Sequence, residues 1–112
     1  MAVLHGWMFH PELRLDPTHA NPEEFRRLTR DIYISPVSVG FWQGAFRDPN
    51  EPEFAAARDA IHAREGLTVD ILYGDQEGGQ RMISRFGLMP RGDGDWIASV
   101  GRHWNVDRAD PR

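Results

Sequence analysis

Residues 67–105 constrain this chain more than any other stretch, because their side chains alternate. Three runs of β-branched, aromatic and alternating residues are separated by two glycine-bearing turns, at 74–79 and 90–95. That pattern predicts a three-stranded antiparallel meander. Successive side chains of a strand point to opposite faces, so the meander sorts its residues into two sets.

A first hairpin pairing Tyr73 with Gln80 puts Leu67, Val69, Ile71 and Tyr73 on one face with Met82, Phe86 and Leu88. Trp96, Ala98, Val100 and Trp104 join them if Leu88 pairs near Trp96 or Ala98. This set is the expected core face, covered by helices. Ser84 and Arg102 are its polar exceptions. Ser84 is expected to be a hydrogen-bonded structural residue and Arg102 to snorkel outward.

The opposite face collects Thr68, Asp70, Leu72, Arg81, Ile83, Arg85, Ile97, Ser99, Gly101 and His103. With Leu88 opposite Trp96, Arg81 opposes His103 and Arg85 opposes Ser99. Asp70 then lies diagonal to both arginines. Two guanidinium groups, a carboxylate and an imidazole on one surface form a candidate site. Arg81 and Arg85 would bind an anionic small molecule with Ser99 beside them. Asp70 would orient an arginine, and His103 would exchange a proton. The plainer reading is a solvated sheet face with a cross-strand Asp–Arg pair. Register decides between them, since a slip of one residue scatters the set.

Upstream, residues 2–9 suit a buried strand, with Val3, Trp7 and Phe9 on one side and Leu4 and Met8 on the other. A short helix fits nearly as well. Residues 10–20, punctuated by Pro11 and Pro17, read as a loop. A helix is expected from Asn21, a good N-cap followed by Pro22 at the first helical position. Phe25, Leu28 and Ile32 give it an apolar stripe, with Arg26, Arg27 and Arg30 on the wet side, and Pro36 ends the segment. Residues 37–46 predict a further strand. A second helix begins near Asn50, with Glu51 and Glu53 in its first turn and Gly66 just past its end. Phe54, Ala57 and Ile61 are its expected buried stripe. The whole is an α+β fold, residues 1–112 as one domain. A single antiparallel or mixed sheet of about five strands packs against two helices.

Composition excludes some chemistry. The 112 residues contain no cysteine, hence no disulfide, thiolate metal site or cysteine nucleophile. No apolar run approaches membrane-spanning length and no signal-peptide pattern is present, so the expected location is cytoplasmic. The net charge of −4 argues against a broad nucleic-acid grip. All 13 cationic side chains are arginine, a usage that follows from a GC-rich, bacterial-like genome or from anion recognition.

The short motifs carry little. His5, His10, His19, His62 and His103 show no metal-binding spacing, so no metal or cofactor is expected. The 74–79 glycine cluster joins strands and contains Asp75 and Glu77, which repel phosphate. Asp93-Gly-Asp95 lacks the other ligands of a calcium loop, and the Arg91-Gly92-Asp93 triplet has no context. Trp7, Trp96 and Trp104 are expected in the core; Trp42 sits between glycines.

Two functions follow from this pattern. The first is a small interaction or assembly module that binds a protein partner or itself through its sheet, as a homo-oligomer. Leu72, Ile83 and Ile97 on the second face support it. The second is a small enzyme or ligand-binding domain that recognises an anionic small molecule through Arg81, Arg85 and His103.

Overall fold

The first strand, β1 (Ala2–His10), lies inside the sheet, which explains why it is apolar on both sides. The computed structural model describes residues 2–35, 50–75, 80–92 and 94–107. Over these it contains β2 (Arg26–Ile34), helix α1 (Pro52–Ala63), β3 (Leu67–Asp75), β4 (Arg81–Arg91) and β5 (Asp95–Asn105). The five described strands form one antiparallel sheet in the order β2-β1-β3-β4-β5. The strand expected at 37–46 lies outside the described residues.

The meander stands where alternation placed it, with the β3–β4 register two residues from the expected one. Tyr73 pairs with Met82 and Val69 with Phe86. A two-residue shift keeps parity, so the β3 and β4 members of both face sets survive.

The helix expected from Asn21 is a strand instead, leaving one α-helix among the described residues rather than two. Its start signals are real: Asn21 Oδ1 accepts a hydrogen bond from the Glu23 N–H at 3.0 Å. They produce only a single 3-10 turn, Pro22–Glu24. Leu28, Ile32 and Ile34 also share even parity, and Ile32, Tyr33 and Ile34 favour extended backbone. Pairing with β1 satisfies a row of backbone groups that a lone amphipathic helix would not. A large irregularity between Leu4 and Gly6 breaks the β1–β2 ladder. There a Cβ on residue 6 would lie 2.5 Å from the Arg26 carbonyl oxygen, so only glycine fits.

Helix α1 begins at Pro52, a residue without a donor to lose, with Glu53 in its first turn. It ends on Arg64, which takes the left-handed cap at φ 53°. Its stripe is shallow. Ala57 is buried and Phe54 half-buried, but Ile61 is exposed, and the helix faces Trp7 and Phe9 across a cleft of about 480 Å³.

The sheet's main cover is not the helix. Residues 11–25, read as loop and helix start, lie across the face carrying Thr68, Asp70, Leu72, Ile83 and Arg85. The Thr68 hydroxyl donates to Glu12 O and accepts from the Arg14 N–H, each at 2.8 Å. Arg85 Nη1 donates to Asp16 O at 3.2 Å, and Trp104 Nε1 to Pro17 O at 2.9 Å. Phe25 completes a buried cluster with Leu72, Ile83 and Trp104. The face expected to be solvated is therefore the more deeply buried one; among the described residues the opposite face remains partly open.

Candidate functional site

On the covered face, Asp70 and Arg85 stand directly opposite each other on β3 and β4. Arg85 forks onto the carboxylate, Nε to Oδ1 at 2.8 Å and Nη2 to Oδ2 at 3.0 Å. His10, at the end of β1, reaches Asp70 Oδ2 through Nε2 at 2.9 Å. Arg85 also lies over the Trp104 ring, 4.8 Å from its centroid. Asp70 is fully buried, and Arg85 and His10 nearly so. Burial pushes Asp70 up, but hydrogen bonds from His10 and Arg85, with the charge on Arg85, outweigh it and hold the carboxyl below its ordinary value. The Asp70 hydrogen bond correspondingly holds Arg85 more firmly charged than usual.

Arg81 is on the same face at the start of β4, where Asp107 takes its guanidinium at 2.9 Å and its backbone N–H at 2.8 Å. Ser99 is exposed on this face, opposite Gly87. Of the expected site residues, Asp70 and Arg85 thus meet in a buried ion pair, while Arg81 and Ser99 stand apart from them. Both arginine charges have a carboxylate partner.

His103 is elsewhere. Phe86 pairs with Val100 but Arg85 with Arg102, so Gly101 is an extra residue in β5. This β-bulge inverts parity beyond Gly101. It brings His103 opposite Ser84 on the open face and turns Trp104 inward beside Ile83.

On the open face, His103 joins a short polar chain. Its Nδ1 lies 2.5 Å from Ser84 Oγ, which lies 2.8 Å from the Tyr73 hydroxyl. Ser84 is buried, Tyr73 half-buried and His103 exposed. With both neighbours bonded to it and little access to solvent, the Ser84 hydroxyl is a relay between two polar groups rather than an approachable nucleophile. The chain lies along a groove of about 580 Å³ whose other walls include Leu4, Val69, Ile71, Phe86 and Leu88. Ser84 as a polar residue on an apolar face was the one sequence signal for this chain. Nothing in the spacing announced His10, which is 60 residues from Asp70.

Among the described residues no group of His, Cys, Asp and Glu is arranged to hold a metal ion, and no helix is long and apolar enough to cross a membrane. No family model matches the chain, no curated protein matches it, and no solved structure matches it.

Proposed function

We propose that this chain is an assembly module that pairs with a second copy of itself along β5. The observation that carries this reading is the state of that strand. β5 is the last in the described sheet order, 11 residues long, and exposed along most of its length. Ile97 and Val100 are 44% and 58% exposed. An edge strand offers a row of backbone donors and acceptors to another chain.

Symmetry narrows the register. Two copies related by a two-fold axis perpendicular to the sheet pair β5 antiparallel, and facing side chains must lie on the same side. Before the bulge, an axis at Ala98 meets this condition. Ala98 then faces its own copy, and Trp96 faces the partner's Val100. The three residues share one face, so the pairing joins two short apolar rows into one. An anion-binding enzyme is less well supported, because the charges of Arg81 and Arg85 are already matched by Asp107 and Asp70.

The absence of native cysteine gives a clean test. Facing Cα atoms across an antiparallel pair are roughly 4.5–5.5 Å apart, within disulfide reach. Light scattering should show a dimer, and Ala98→Cys should cross-link it under mild oxidation faster than Ile97→Cys. A strict monomer at high concentration sinks the proposal, and faster linkage through residue 97 sinks the register.

A further inference from the structure

We infer that the groove on the open face is a binding site for a monocarboxylate with an apolar body, such as a medium-chain fatty acid. This does not rest on the pairing of β5, which leaves the groove uncovered.

Three observations carry it. The first is size and character. The groove, about 580 Å³, is walled by Leu4, Ile71, Phe86 and Leu88 among others, and pockets of roughly 300–1,000 Å³ suit small organic ligands. The second is that the polar groups form one connected line across β3, β4 and β5 that reaches water at His103. Tyr73, Ser84 and His103 are linked to one another, and every other lining residue is apolar. An occupant that lies along the apolar wall and meets this line at its exposed end, His103, is apolar along its body and polar at one end. The third is sign. Among the described residues lining the groove, His103 is the one that can carry positive charge, and none is a carboxylate.

Ser84 fixes the imidazole by its Nδ1, leaving Nε2 on the edge away from Ser84. A ring held in this way offers an N–H to an acceptor in either the neutral or the protonated state, once Ser84 donates to Nδ1 or accepts from it. Asp75, the nearest acidic residue on this side of β3, is four residues from Ile71 along the strand. β4 stands between β3 and β5, so Asp75 is on the order of 15 Å from His103. That distance exceeds the roughly 8–10 Å over which exposed charges act in ordinary salt, so Asp75 does not disturb a carboxylate at His103. His103 is exposed, so the head rests at the rim in water while the chain covers Ile71 and Phe86. Among the described lining residues a cation finds no carboxylate.

The test is calorimetric titration of the full chain with dodecanoate, kept below its micelle concentration, and with dodecan-1-ol. Methyl and aromatic NMR shifts locate each ligand. Dodecanoate should bind one per chain, more tightly than the alcohol, and shift Val69, Ile71, Phe86 and Leu88. His103→Ala and His103→Gln, at an exposed position, should weaken the acid about tenfold and the alcohol little. No saturable binding of dodecanoate overturns the inference. So does equal affinity for acid and alcohol, insensitivity to residue 103, or shifts confined to the cleft beneath α1. Light scattering on the same samples reports separately on β5 pairing.

Discussion

Asp70 is a carboxylate removed from water, and its two partners decide whether that is tolerable. Arg85 and His10 together occupy both of its oxygens. Removing Asp70 takes the forked carboxylate from a buried guanidinium and leaves it the half-exposed Asp16 carboxylate at 3.7 Å. Asp70→Ala is therefore expected to cost about 3–5 kcal/mol in denaturant unfolding. Replacing both ends, Asp70→Leu with Arg85→Met, should recover most of that loss, because the charges are removed together. A double variant no more stable than the single one would show that the pair is more than an ion pair of matched burial. The same group sets an acid limit. Its pKa is lowered in the folded chain, so its contribution is fully present above the ordinary value of 3.8 and is lost as pH falls through the lower folded value. Acid unfolding followed by circular dichroism should show that step in the native chain and lack it in Asp70→Asn.

At the level of elements, the bulge in β5 shows what a sequence can and cannot announce. The strands were legible because β-branched and aromatic residues alternate between glycine turns, and the β3–β4 parity survived a two-residue error in register. The position of His103 was not legible. Strict alternation from Val100 places it with Arg81 and Arg85, and one extra residue at Gly101 carries it to the other side. A glycine inside a strand is the one mark of such an insertion, but it does not fix the site, since space does not force Gly101: a Cβ there would meet the Arg85 carbonyl oxygen at 3.4 Å. Deleting Gly101 should thus convert the bulge to a regular ladder with every other β4–β5 partner retained. Thermal unfolding should remain cooperative, with Trp104 still protected from solvent quenchers. Exposure of Trp104 would mean that the bulge itself, rather than the pairing, holds the register. Gly6 is the opposite case. Its replacement by alanine presses on Arg26 backbone, and overpacking of this kind costs about 1–3 kcal/mol in urea unfolding. The strand at 26–34 was missed for a different reason: spacings of four and two coincide at Leu28 and Ile32, and pairing with β1 decided between them.

The whole molecule is a sheet with unequal faces, and the inequality comes from a segment without regular structure. Residues 11–25 meet the sheet largely through their backbone: the carbonyls of Glu12, Asp16 and Pro17 receive Thr68, Arg85 and Trp104. Main-chain acceptors leave no trace in residue type, which is why the covered face read as the wet one. Leu15, the apolar residue midway along the segment, is 83% exposed and adds nothing to the seal. Leu13 is half-buried over Gly87, and Phe25 is the deepest apolar anchor, buried with Leu72, Ile83 and Trp104. If that anchor keeps the segment seated, Phe25→Ala should cost about 3–5 kcal/mol, and the loss should be local before it is global. Water would reach Asp70 and Arg85 first, because their cover hangs on the same segment. Hydrogen exchange should then quicken at Arg14, whose N–H is held by Thr68, while amides of the β3–β4 ladder keep their protection in weak denaturant. Uniform loss of protection across segment and ladder would mean that the cover and the sheet open as one unit. In that case the core belongs to both layers equally.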